Sequence, residues 1–342
     1  DEAVETSRSP AGGTSAETGT AQATDTVAGK TKERSERIEP RDSVGDLNAA
    51  GIKAGEFPGS IKIPGTGDVS LAIGGFIKTV AIFDSDAENM GADFLPATLG
   101  TRRPDQDGAF SLDATLTRLH LDGRAPVTHG RVRGYVEADL NSGNDGSLGV
   151  KMRQAYGAWE TDVGTLLAGH TWSTLMDLKI LPEGLTEPTV SGVIFMRQPV
   201  ISWSQPLNPQ FTYHLAIEDA SSNDVFSEEP SLGNTSLPDA IAGLEFSPSD
   251  VGHLRLNGIL RQIEIDTIGG GNDDAVGWGL ALSGHLKVLE RDRIVFSGVY
   301  GEGLGRYLLG IQSTAGAAID PASNELSLRD NWGLMLSYAH PW

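Results

Sequence analysis

The sequence predicts an all-β fold of antiparallel strands. Two observations carry this. From Val69 to Tyr338 short stretches of alternating apolar and polar residues recur, separated by turns of Gly, Asp, Asn and Ser, as in GRVRGYVEADL (130–140) and VGWGLALSGHLKVL (276–289). The chain also carries 43 glycines, which suit many tight turns and close strand contacts. Alternate side chains fall on opposite faces of a strand, so each segment offers one apolar face and one polar or mixed face. Two architectures satisfy this pattern. In a soluble sandwich the apolar faces meet each other; in a transmembrane barrel they meet lipid and the polar faces line a wet lumen. The medium against the apolar face therefore decides the function.

Along the chain, residues 1–47 stand apart: polar, without aromatics, and unable to bury enough apolar surface to offset chain entropy. They are expected to be a low-complexity extension, disordered or partly helical, with KTKERSERIE (30–39) as the candidate for a short charged helix. Residues 48–68 are a linker punctuated by Pro58 and Pro64, and 69–342 form the β domain. About twelve strands are expected there: 69–84, 109–121, 130–140, 149–160, 164–176, 193–204, 210–219, 239–246, 251–265, 276–289, 292–302 and 327–338. The connections at 84–108, 218–239 and around 305–326 are long. Those at 121–130, 141–147, 204–210, 247–250 and 289–293 are brief. Long loops on one rim and short turns on the other are the habit of outer-membrane barrels. An aromatic content of 6% is low for two full aromatic girdles and counts the other way.

Composition excludes several classes. Without cysteine there is neither a disulfide framework nor a thiolate metal site. No apolar run is long enough for a transmembrane helix. A net charge of −20 argues against a nucleic-acid partner. GGGNDD (269–274) is one copy of what calcium-binding proteins repeat, and NSGNDGS (141–147) lacks the closing Glu of a calcium loop. His170 and Ser173 are offset by three and fall on opposite strand faces, so they do not make a nucleophile pair. The expectation is no catalysis and no cofactor.

The polar faces hold the candidate binding residues. Arg131, Arg133, Tyr135, Glu137 and Asp139 share one face; Val132, Val136, Ala138 and Leu140 share the other. Lys151 and Arg153 oppose Val150 and Met152, Arg118 and His120 oppose Leu119 and Leu121, and Arg255 and Arg261 oppose Leu254, Leu256 and Leu260. Inside a barrel such cations would form a positive ladder, with Glu137 and Asp139 or an inward-folded acidic loop facing it across the lumen. On a soluble sheet they would be solvated surface charges. A guanidinium fork binds a carboxylate through two parallel hydrogen bonds, which suits small anionic solutes.

The blocks FPGSIKIPGTGDVSLAIGGFIKTVAIFD (57–84), TRLHLD (117–122), GRVRGYVEADL, VKMRQAYGAWE (150–160), LLAGHTWSTLMDL (166–178) and VIFMRQPVISWSQ (193–205), in this order, resemble the DcaP-like outer-membrane porins over residues 48–342. The resemblance implies a transmembrane antiparallel β-barrel of about sixteen strands, a homotrimer in outer-membrane lipid, and a periplasmic N-terminal extension. It implies passage of small anions, dicarboxylates in particular. It also makes the segment after Asp177 a loop that narrows the lumen, and Arg118, Arg131, Arg133, Lys151, Arg153 and Arg197 the pore-lining cations. The expected strands stop near twelve and the chain ends at HPW, where a turn into a further strand is expected, so the C-terminal strands of a closed barrel are expected to be missing. The alternatives are a barrel-type lipase or protease and a soluble β-sandwich binding module.

Overall fold

A computed structural model describes residues 53–84, 108–141, 149–181, 192–221, 225–226, 231–233, 235–248, 251–267, 272–289, 291–311, 315–320 and 325–340. In chain order the strands are β1 (Ile61–Lys62), β2 (Ser70–Phe76), β3 (Val80–Asp84), β4 (Ala109–Asp113), β5 (Arg118–Val127), β6 (Gly130–Asp139), β7 (Lys151–Glu160), β8 (Thr165–Trp172), β9 (Arg197–Pro206) and β10 (Phe211–Glu218). They continue as β11 (Val225–Phe226), β12 (Ser231–Gly233), β13 (Asp239–Phe246), β14 (Gly252–Thr267), β15 (Asn272–Val288), β16 (Asp292–Glu302), β17 (Ala317–Ile319), β18 (Leu326–Leu328) and β19 (Asp330–Ala339).

Fourteen strands form one antiparallel sheet in the order β1-β2-β5-β6-β7-β8-β9-β10-β13-β14-β15-β16-β19, with β12 added on β14. Every step is between consecutive long strands, so the sheet is a meander. Among the described residues β1 and β19 are its two edges. The connections alternate as expected: at one rim they are short (128–129, 161–164, 207–210), at the other long (77–117, 173–196, 303–329).

The apolar face is bare. Ile73 is 75% exposed, Leu119 65% and Leu334 74%, and they belong to continuous rows of outward aliphatics on every long strand. A sandwich would cover these rows with a second sheet; among the described residues nothing does, and an apolar surface of this extent suits lipid. On β15 the outward residues run from Val276 through Trp278, Leu280 and Leu282 to Leu286. Ten residues at ~3.4 Å each make about 34 Å, which a strand tilt of ~40° shortens to about 26 Å, the height of a barrel's apolar band.

The buried core lies on the polar side, inside the curl of the sheet. Two inward segments build it. One, 173–181, ends in a 3-10 turn at Leu178–Ile180, and 192–196 continues the same long connection; the other is 303–309, with a 3-10 turn at Gly305–Tyr307. Leu175, Met176, Ile180, Val193, Phe195, Leu304, Tyr307, Leu308 and Leu309 pack on the inward Val200, Ala216, Ile241, Ile259, Ala281, Val295, Val299 and Met335. The two segments bond to each other through Phe195 N–H to Tyr307 O and Leu309 N–H to Val193 O, both 2.9 Å. Gly333 of β19 makes room for them: a Cβ there would stand 1.9 Å from the Gly192 carbonyl oxygen.

Three expectations change. The stretch 69–84 is two strands, because β3 leaves the sheet to pair with β4 in a separate hairpin. The stretch 109–121 likewise divides into β4 and β5. Residues 121–130, expected as a brief connection, continue β5 to Val127 in register with β6. The extension 1–47, most of the loop 84–108, NSGNDGS (141–147) and the stretch 182–191 lie largely or wholly outside the described residues.

Gly333→Val should therefore drive the 192–195 segment off the sheet and destabilise the fold by about 1–3 kcal/mol. A lowered melting temperature in detergent checks this; an unchanged one counts against the packing.

Candidate functional site

The charged wall is the inner face of β5–β7. Antiparallel registry sets Arg118 opposite Asp139, His120 opposite Glu137, Arg124 opposite Arg133, Arg131 opposite Glu160, and Asp139 opposite Lys151. Side chains directly opposite on one face are near enough to bond, so pairing follows from registry. Arg118 donates to Asp139 at 3.0 Å and to Glu137 at 3.3 Å. Arg153 donates from Nε to the same Asp139 oxygen at 2.5 Å. A register shift between Glu137 and Ala138 lets Arg153 reach it. Arg131 pairs with Glu160.

Asp122 is shared by two forks. Arg124 reaches it at 3.0 and 2.7 Å, Arg133 at 3.1 and 2.9 Å, each from Nε and Nη2. Two guanidinium groups on one carboxylate leave a surplus positive charge. The Arg133 guanidinium also lies 5.0 Å from the Tyr135 ring centre and 5.7 Å from that of Tyr156. Tyr135 donates its hydroxyl to Glu137 at 2.9 Å. On this face six cations (Arg118, Arg124, Arg131, Arg133, Lys151, Arg153) stand beside four carboxylates (Asp122, Glu137, Asp139, Glu160).

Further along the sheet, the inward segments are pinned by polar side chains of β13–β15. Arg255 donates to the Thr174 carbonyl at 2.6 Å and Asn257 to that of Leu175 at 2.9 Å. Asp177 bonds His253 Nε2 and accepts from the Ser283 hydroxyl, both at 2.7 Å. Burial pushes the Asp177 carboxyl up, but the His253 and Arg255 contacts and the Ser283 hydroxyl outweigh it and hold it below its usual range. Ser247 Oγ lies 2.9 Å from His253 Nδ1, so Ser247, His253 and Asp177 have the composition of a hydrolase triad. His253 is only 4% exposed, sealed under the segment it holds, and the trio serves as a clasp. The second segment is held by Tyr307, which donates to Asp239 at 2.5 Å, and by Arg306, which donates to Gln198 at 2.6 Å. Arg261, read from sequence as an inward cation, donates to the Gly303 carbonyl at 2.6 Å in the same cluster.

Seven of the eight sequence-derived residues thus sit together on the β5–β7 wall. Arg197 stands apart at the long-loop end of β9, where its guanidinium stacks 3.6 Å over the Trp172 ring. Glu137 and Asp139 do not face the arginines across the lumen: they bond Arg118 within the same wall. The part of the connection after Asp177 that is described, to Leu181, lies on the inner side of the sheet. Arg124, Asp122 and Glu160 were missed. The alternation Arg118, His120, Asp122, Arg124 would have shown the first two, had 121–130 not been read as a connection.

Asp139 is 1% exposed and serves two buried arginines. Asp139→Asn should strand those charges and cost about 3–5 kcal/mol of stability, read as a lower denaturation midpoint in detergent; a neutral effect would show that the guanidinium groups are neutralised otherwise.

No family model matches the chain, and no curated protein does. Among solved structures, the crystal structure of the outer membrane channel DcaP of Acinetobacter baumannii superposes at a TM-score of 0.67 with 20% identity, covering 81% of this chain and 75% of that one. An anion-selective porin from Comamonas acidovorans matches at 0.32 with 13% identity over 80% of this chain and all of its own. A loop-deleted OmpT, an outer membrane protein of Vibrio cholerae, matches at 0.36 with 11% identity over 68% and 82%. The fold assignment rests on the first of these together with the bare apolar face. The resemblance to DcaP-like porins holds at the level of fold: the chain has the antiparallel meander of an outer-membrane β-barrel.

Proposed function

We propose that the protein is a passive porin of a bacterial outer membrane with a preference for small anionic solutes. The observation that carries this is the β5–β7 inner wall, where cations outnumber carboxylates and two guanidinium forks share Asp122. Such a wall attracts anions and offers them partial replacement of their hydration, while the neighbouring carboxylates keep binding weak enough for exit. Of the proposed pore-lining cations, Arg131, Arg133 and Lys151 keep exposed surface for a solute, while the enclosed Arg118 and Arg153, and Arg197 at the long-loop rim, contribute positive charge from behind that surface. Glu137 and Asp139 set their orientation. Dicarboxylates are the proposed solutes because two carboxylates can engage two forks at once. No reaction and no cofactor enters this reading.

Short turns on one rim and long loops on the other support a periplasmic position for the short-turn rim, by the habit of outer-membrane barrels. The proposed organisation is a periplasmic extension over 1–47, a linker over 48–68 and the barrel beyond, assembled as a homotrimer.

Reconstitution in planar bilayers tests the reading. Channels with a reversal potential favouring anions in a salt gradient are expected, and absence of channels refutes the pore. The double variant Arg131→Gln, Arg133→Gln should lower the anion preference severalfold while channels persist; unchanged selectivity removes those residues from the lining.

A further inference from the structure

The described chain begins with a turn that the barrel itself does not need. Residues 53–62 double back on themselves: Lys62 N–H bonds Lys53 O at 2.9 Å, Gly55 N–H bonds Ser60 O at 2.8 Å, and Ala54 bridges Ile61. The buried Ser60 closes the turn, donating its hydroxyl to Phe57 O at 2.6 Å and accepting from Phe57 N–H at 3.2 Å. Gly59 takes a φ of +76° at its tip. The turn lies on the polar side of the sheet at the short-turn rim. Glu56 N–H bonds the hydroxyl of the buried Ser70 at 2.9 Å. Ser70 stands opposite Arg124 in the β2–β5 register, and the Phe57 ring covers the Arg124 guanidinium at 4.1 Å.

Two inward-facing side chains on adjacent strands therefore hold this turn over the short-turn mouth. Its ring meets the arginine that shares Asp122 with Arg133. We infer that Phe57 is a specificity-determining residue of the pore: it screens one face of Arg124 from passing solutes and so sets how strongly the short-turn end of the cationic wall attracts anions. The proposal rests on the porin reading. The physical basis is direct. The Asp122 carboxylate occupies the Nε and Nη2 edge of Arg124, and an aromatic ring on its face removes a second direction of approach. The negative face of the ring quadrupole also offsets part of the charge that a solute would feel. Removing the ring exposes a hydrated guanidinium face; a larger ring keeps it covered.

Single-channel recording in a salt gradient tests this with the full chain. Phe57→Ala should raise the anion-to-cation permeability ratio on the order of two- to fivefold, the range an exposed cation–aromatic contact spans. Phe57→Trp should stay near the wild type. The Phe57→Ala change should vanish in an Arg124→Gln background. A heat-dependent shift in detergent gels confirms that each variant is folded. If Phe57→Ala fails to fold, Phe57→Leu keeps the bulk, loses the ring, and should move the ratio in the same direction by less. Wild-type ratios in folded Phe57→Ala or Phe57→Leu channels overturn the proposal, and so does an equal change with and without Arg124. Wild-type protein that forms no channels removes the porin reading itself, a different outcome from channels indifferent to Phe57.

Discussion

In hydrocarbon no water is present to satisfy a backbone N–H or C=O, so each must find its partner within the chain. The rest of this structure follows from that constraint. It favours strands that pair with the next long strand in sequence, and the sheet from β1 to β19 is such a meander. It also turns the usual burial rule inside out. Leu119, Leu254, Leu280 and Leu334 point outward and bare, while Arg118, Arg153, Asp139 and Arg261 are enclosed.

Enclosed charges cannot stand alone, and registry supplies their partners. The arginines Arg118, Arg124, Arg131, Arg133 and Arg153 bond carboxylates of their own wall, with Asp139 and Asp122 each serving two guanidinium groups. The wall is consequently a locally neutralised lattice with a small cationic excess. That distinction matters for transport. Under the proposed anion passage, a ladder of bare arginines would hold a solute too tightly to release it, whereas forks already engaged would offer weak, exchangeable contacts.

The opposite side of the curl is handled differently. There the long connections after β8 and β16 fold inward, cover Val200, Ile259, Ala281 and Val299, and are clasped by Asp177, His253, Asn257, Tyr307 and Arg306. Their backbone carbonyls are consumed by Arg255, Asn257 and Arg261. Cations on this side are thus spent on holding loops, whereas those on β5–β7 bond carboxylates of their own wall. The turn at 53–62 adds a third inward piece at the short-turn rim.

The period-two alternation alone determined that the fold is all-β, which side chains share a face, and where the short turns fall, because side-chain direction in a strand is a local property of the backbone. It placed Arg118, Arg131, Arg133, Lys151, Arg153, Glu137 and Asp139 on polar faces correctly. It failed over 121–127, where Gly123 sits inside β5 with β2 and β6 on either side and Pro126 continues the strand paired with β6 alone. Only the tertiary structure decided which carboxylate meets which arginine, that Glu137 and Asp139 bond their own wall, and that Phe57 returns to cover Arg124. Those contacts join residues up to scores of positions apart, and their geometry is set by strand register and loop closure, which no local spacing records. The medium against the apolar face was likewise settled by its exposure, since the same alternation serves a sandwich and a barrel equally well.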